Sequence, residues 1–579
     1  MRKKIKLFSC LMALILLMSA CNTTNNPTET DQTTASQTEA VTKELAAPIV
    51  LVKADGQANC TVTKPMNCSE ELAKVIDDFL KDVEKKTGTK LPVVDEMTAI
   101  TTKYEIAVNA TAGRPPVEEQ FKQTAYTDYT IGIWDWHIMV TSQSDVSVKA
   151  GLRKIYTSLE KIDEGYCIRE DIGMHASAIL GDKKASVPVY DTKNGKQLPF
   201  YPVDGGYEVC IQKTPKAEAL AYAEKLSKSG FSKYSENAIG ENLSFVYTSE
   251  DIQVFLNYND SQKTTRIVFE NAGALPALEK PALTSSDNAQ VSIAQIGIGG
   301  LGMSYAIQLK DHSFIVIDGG TNAKENTTKL YNYLVEKTPS GKTPTIACWV
   351  FTHADPDHIG APHSFLNQYM DAVELESVAY NFPDCSVQNT SQDDQKIGTS
   401  IFALKNVIKS FYDATIYTVH TGQKFYFKGA EMEILFTEED LYPKKVNSYN
   451  DTTLMVRFTF DGGKTFTVLG DSTEQTSKQL AATYQSYLKS DILQLAHHGL
   501  IGGDKELYTY IDPEICFWAT SQERFEGRYD TNKDGKVSST DTQHCLGQGG
   551  CDYNAYIRSA SIRQRIHYHA SQTFVVNVT

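Results

Sequence analysis

The most constraining stretch of the sequence is Thr352-His353-Ala354-Asp355-Pro356-Asp357-His358-Ile359-Gly360. Four side chains able to ligate a metal fall within six residues, immediately after the apolar run Thr345 to Thr352 and before a helical pattern starting near Gly360. A turn at the carboxyl end of a buried strand can aim several side chains at one point, and carboxylates mixed with imidazoles suit Zn²⁺, Mn²⁺ or Fe²⁺. A lone histidine after a strand is usually structural; two histidines and two aspartates at this spacing are not easily assigned to packing.

The rest of the chain divides around this stretch. With 579 residues it exceeds one hydrophobic core, and 41% apolar and 22% charged residues describe ordinary folded protein. Residues 1–20 read as a signal peptide: Arg2, Lys3, Lys4 and Lys6 precede the apolar stretch Leu7 to Met18, and Ser19 and Ala20 precede Cys21. That order resembles a bacterial lipoprotein signal, which makes Cys21 the expected lipidation site and membrane anchor, and places the protein outside the cytoplasm. Residues 21–46 are polar and read as a flexible tether. Losing the four basic residues of the signal takes the formal charge from −15 to −19, so no stable nucleic-acid complex is expected.

Residues 47–175 read as an α/β domain. A strand is predicted over Pro48 to Lys53, a helix from an N-cap at Ser69 to a stop at Gly88, strands over Tyr104 to Val108 and His137 to Val140, and a helix over Val146 to Leu159. This pattern, with the turn from Lys85 to Val94, resembles the small accessory domains that precede catalytic barrels in some glycosidases; no barrel follows, so only a cell-wall glycan partner is suggested. Residues 190–283 read as a small α+β domain, with a helix over Lys216 to Ser229 and three strands after it. Ala274 to Asn288 reads as a linker.

From residue 288 to 579 further motifs follow. Ile317-Asp318-Gly319-Gly320 ends a strand, Asn450-Asp451-Thr452-Thr453-Leu454 precedes one, Val468-Leu469-Gly470-Asp471 ends another, and Leu495-Ala496-His497-His498-Gly499 follows a helical stretch from Glu474 to Lys489. In this order they resemble the metallo-β-lactamase superfamily, whose His-x-His-x-Asp-His pattern is matched except that Asp355 stands at the second histidine. That replacement and the His-His-Gly resemble the hydrolase domain of ComEC, the DNA-uptake channel protein, and its secreted relatives.

The resemblance implies an αββα sandwich and a metal-dependent hydrolase with two divalent transition metals, Zn or Mn. His353, Asp355, Asp357, His358, Asp471 and His497 are the candidate ligands, with Asp471 bridging. Whether His497 or His498 completes the second site is left open, the other meeting substrate; Asp357 and His498 are the candidate catalytic residues. Asp318 is expected to hold the ligand loop by hydrogen bonds. A pair of cations lowers the pKa of a shared water and clamps an anionic ester, which favours a phosphodiester of nucleic-acid or teichoic-acid type. The superfamily's intermediate histidine has no clear counterpart: His363 and His420 are expected outside the ligand set, and His567 and His569 as half-exposed strand residues. The alternative function is a surface binding protein with a degraded site.

One more ion site is a candidate. Asp530, Asn532, Asp534, Ser538 and Asp541 occupy loop positions 1, 3, 5, 9 and 12, Gly535 position 6, and Lys536 the backbone-carbonyl position 7, a spacing that resembles a Ca²⁺ loop. A polar turn inside an insertion is the alternative.

Overall fold

The structure is a computed structural model. It describes residues 46–123, 128–142, 145–177, 187–198, 201–203, 205–298, 300–383, 401, 403–405, 407–408, 413–444, 446–499, 501–525 and 565–579. Cys21, the signal and tether, and the candidate calcium residues Asp530, Asn532, Asp534, Lys536, Ser538 and Asp541 lie outside these.

Strands between Ser292 and Asn577 build two sheets. The first runs, in spatial order, through Thr415–Thr418, Ser377–Tyr380, Thr345–Phe351, Phe314–Asp318, Ser304–Gln308, Ser292–Gln295 and Phe574–Asn577. The second runs through Lys424–Phe427, Ala430–Phe436, Met455–Phe460, Thr465–Val468, Ile492–Gln494, Ile515–Trp518 and Ile566–His569. Their facing sides share one core, with Ile315, Ile317 and Val350 from the first sheet and Met432, Val456, Phe466 and Phe517 from the second. Helices Lys324–Lys337 and Pro356–Gln368 cover the outside of the first sheet through Leu330, Leu334, Ile359 and Phe365. Helices Glu474–Tyr484 and Lys505–Ile511 cover the second through Leu480, Leu507 and Ile511. The result is an αββα sandwich. Covering on both sides explains why Thr345–Phe351 is almost wholly apolar, as a parallel strand buried on both faces must be.

Topology then places the site. Phe314–Asp318, Thr345–Phe351 and Ser377–Tyr380 are parallel, as are Thr465–Val468, Ile492–Gln494 and Ile515–Trp518. The segments following Thr345–Phe351, Thr465–Val468 and Ile492–Gln494 therefore leave the sandwich along its carboxyl-end edges, where α/β sheets gather ligand groups.

Upstream lie further sheets. A six-stranded sheet in the order Val93–Asp95, Cys60–Lys64, Tyr104–Val108, His137–Thr141, Asp128–Trp134 and Met174–Ser177 carries helices Glu70–Thr87 and Asp145–Thr157, beside a three-stranded sheet of Pro48–Lys53, Gly165–Arg169 and Glu160–Ile162. The predicted cap is real: Ser69 Oγ accepts from Leu72 N at 2.9 Å, and Gly88 closes the helix at φ +79°. Next comes an antiparallel sheet built from Gly206–Gln212, Thr264–Asn271, Ile252–Asn259, Asn242–Thr248 and Ser232–Ile239, with helix Lys216–Lys228 packed on one face.

This antiparallel sheet packs on the sandwich through polar groups. Arg266, paired within its own sheet to Glu208 (2.7 Å), donates across to the Asp440 carbonyl (2.8 Å), Asn237 donates to Glu433 (2.6 Å), and the Phe255 ring lies tilted by 31° at 3.9 Å from that of His420.

Candidate metal centre

The loop after Thr345–Phe351 is fastened from behind by Asp318. That aspartate, at φ +51° and wholly buried, accepts from Thr352 N (2.8 Å) and Thr352 Oγ1 (2.6 Å) and holds His358 Nδ1 at 2.7 Å. With Nδ1 tied to a carboxylate, the imidazole presents Nε2 forward, the arrangement metal-ligating histidines use. Pro356 begins the helix behind Asp355, so Asp357 and His358 sit in its first turn.

The second sheet supplies the rest. The bend at Leu469-Gly470 is clamped by Gln494, whose Oε1 accepts from both backbone amides (2.8 and 2.7 Å) while its Nε2 donates to the Gly470 carbonyl (3.0 Å). This aims Asp471 inward. Its Oδ1 lies 3.2 Å from His358 Nε2, and its Oδ2 lies 3.2 Å from His498 Nε2 and 3.7 Å from His497 Nε2. His497 and His498 both adopt left-handed backbone (φ +48° and +57°), which turns two successive imidazoles along separate directions. His498 Nδ1 donates to the Ala519 carbonyl at 2.8 Å, and its Nε2 lies 3.0 Å from Asp357.

Asp357, His358, Asp471 and His498 thus bring one donor atom each within 4.8 Å of one another. Of the two neighbouring histidines it is His498 that joins this group; His497 sits at the rim, 20% exposed. His353 is next to them, its ring 4.1 Å from that of His358 and its Nε2 3.4 Å from Asp355.

These residues fit a cation by a test independent of their names. His353 Nε2, His358 Nε2, His498 Nε2 and Asp471 Oδ1 are buried with no hydrogen-bond partner. Each such atom costs about 1–3 kcal/mol, and four at one place mark a position for a positive ion. Burial pushes Asp471 up and His358 and His498 down, yet their mutual attraction wins. Asp471 is held well below the carboxylate range, and His358 well above and His498 up at about 10 relative to an ordinary imidazole. His497, mainly through burial, is lowered.

The other histidines weighed from the sequence are elsewhere. His363 contacts Asn367 on its own helix, His567 accepts from Trp518 Nε1 at 2.9 Å, and His569 packs on Phe525 and Phe574. His420 is buried between Glu439 (3.0 Å) and Glu270 (3.6 Å). Two site residues escaped the sequence reasoning. Gln494 has no signal beyond its place two residues before Ala496. Asn450, noted only within its motif, has a buried Oδ1 without a partner, on a turn that Leu454 N ties to the Thr352 carbonyl at 2.7 Å.

Two facing sheets with outer helices, and ligand loops at the carboxyl ends of their parallel strands, make up the αββα layering of the metallo-β-lactamase fold. No family model matches the sequence, and no curated protein matches it. Among solved structures 28 chains match. They include the metallo-β-lactamase fold protein YhfI from Bacillus subtilis (12% identity, 50% of this chain and 100% of that one, TM-score 0.29). A CmlA β-hydroxylase variant (11%, 50% and 54%, 0.31) and a metallo-β-lactamase from Hirschia baltica (10%, 49% and 96%, 0.21) also match.

Proposed function

We propose that the chain is an extracytoplasmic metal-dependent hydrolase that cleaves phosphodiesters of nucleic-acid or teichoic-acid type with a metal-activated water, while anchored through Cys21. The observation that carries the chemistry is the convergence of unpartnered buried donors from His353, His358, Asp471 and His498. Two divalent cations there, Zn or Mn, supply Lewis acidity toward water and neutralise an anionic ester. His353 and Asp355 would hold one, and Asp357, His358, His498 and Asp471 the other, with Asp471 the candidate to serve both. Asp318, Gln494 and the Ala519 carbonyl keep these donors in place from behind. His497 Nε2, at the rim, meets a substrate oxygen. The phosphodiester class and the ComEC-like subgroup rest on the motif order; location and anchoring rest on residues 1–21.

The test is purified protein loaded with Mn²⁺ or Zn²⁺ and assayed on bis-p-nitrophenyl phosphate, p-nitrophenyl phosphorylcholine and a β-lactam, with metal content measured in parallel. Near two equivalents of metal and phosphodiester cleavage, both lost in Asp471→Asn, are expected. Folded protein that takes up no metal under supplementation refutes the reading in favour of a binding protein.

A further inference from the structure

Of the four tryptophans, Trp349 and Trp518 are wholly buried in the sandwich. The other two stand together on the tight hairpin joining Asp128–Trp134 to His137–Thr141, where Trp134 is 40% and Trp136 37% exposed. Both indoles flank one imidazole. Trp134 stacks on His137 at 4.8 Å and 8°, and Trp136 lies 3.6 Å from it at 30°. Large apolar side chains are normally spent on a core, so two on one exposed turn need another explanation.

The imidazole between them is built into place. Its Nδ1 bonds Glu105, a carboxylate of no exposure. Glu105 is paired by Arg114 Nε (3.1 Å) and Nη2 (2.6 Å) and accepts from Thr63 Oγ1 (2.5 Å). Arg114 is itself fixed by the Ala112 and Glu96 carbonyls (2.8 and 3.2 Å). A buried ion pair adds little net stability over apolar packing. What this one does is fix a ring: with its proton directed from Nδ1 to Glu105, His137 keeps Nε2 as an acceptor. Among the described residues no protein group bonds that nitrogen, in a residue only 6% exposed.

We infer that Trp134, Trp136 and His137 form a saccharide-binding site. The flat faces of the indoles match the C–H faces of pyranose rings, and the oriented, unpartnered Nε2 accepts a sugar hydroxyl. Aromatic surface beside a single placed polar group is the recognition pattern of a neutral ring with hydroxyls on its rim. The site is remote in sequence from the metal centre and independent of the reading given for it.

The experiment titrates the full chain with chitohexaose and cellohexaose, following tryptophan fluorescence and calorimetry, with sedimentation on insoluble peptidoglycan. Saturable binding is expected, weakened roughly ten-fold or more in Trp134→Ala and in Trp136→Ala, with weaker losses in the Phe variants. Thermal midpoint and phosphodiester hydrolysis should stay at the parent values, since both side chains are exposed and neither touches the sandwich site. Three results overturn the proposal: no binding of any of these glycans by the parent chain, unchanged binding by the Ala variants, or Ala variants that instead lose self-association or attachment to phosphatidylglycerol vesicles.

Discussion

Asp318→Asn tests whether the metal centre is organised from behind. The replacement keeps size and shape but exchanges one acceptor oxygen for an amide nitrogen and removes a charge. Asp318 receives three hydrogen bonds, two from Thr352 and one from His358 Nδ1 at 2.7 Å. If the amide oxygen stays on Thr352 N, the amide nitrogen faces His358 Nδ1, and two donors oppose each other. The imidazole escapes by moving its proton to Nε2, the atom 3.2 Å from Asp471 Oδ1, and so loses the lone pair that a cation needs. A hydrogen bond to a charged group is worth about 1.5–3 kcal/mol, which corresponds to roughly a 10- to 100-fold loss in metal affinity, the usual range for such supporting residues. Chelator-competition titration with Zn²⁺ measures it directly. The metal-free thermal midpoint should move little by comparison, because Asn retains the bond to Thr352 N. Affinity within two-fold of the parent would refute the idea that Asp318 sets the orientation of His358.

Three other substitutions probe the frame. Gly499→Ala sets a Cβ 2.2 Å from Trp518 Cε3 at φ +76°, and should cost about 2–5 kcal/mol in urea denaturation. Arg266→Met leaves Glu208, wholly buried and already raised to about 8 chiefly by burial, without its partner. A loss of about 3–5 kcal/mol is expected, largely restored by adding Glu208→Gln; no restoration would mean that packing, not charge, is at stake. His420 is opposed by burial, yet Glu439 and Glu270 lift it from 6.5 to about 10. Its contribution is therefore complete below pH 6.5 and disappears as pH rises through 10, so His420→Gln should destabilise strongly at pH 6 and far less above pH 10. A pH-independent difference would refute this.

How much of this was readable from residues follows the range of each interaction. The helix over Glu70–Thr87 was legible to its caps because Ser69 and Gly88 act on their own neighbours. The αββα sandwich was legible because its ligand motifs fall at strand ends in a fixed order. The choice between His497 and His498 was not, since it rests on left-handed backbone at both residues and on the Ala519 carbonyl 21 residues away. His420 was expected only to lie outside the ligand set; its carboxylate neighbour Glu270 comes from a different sheet, and no local pattern announces that. Trp134 and Trp136 went unremarked beside the predicted strand His137 to Val140, because alternation predicts a strand but not which face lacks a cover.

The buried polar centres in and beside the sandwich obey one rule with opposite outcomes. At His420, Glu439 and Glu270 the positive charge is supplied by the chain itself, from an imidazole, and at Glu208 from Arg266. His420–Glu270 and Arg266 with the Asp440 carbonyl then tie the antiparallel sheet to the sandwich. At Asp357 and Asp471, with Asp318 and Asp355 beside them, no lysine or arginine pairs with the carboxylates among the described residues; their ion pairs are all with histidine. Four carboxylates whose only ion-pair partners are imidazoles are an unfavourable arrangement for an apolar edge. It is tolerated where the missing charge is mobile. That asymmetry, more than any single motif, separates a structural charge cluster from a centre organised to receive cations.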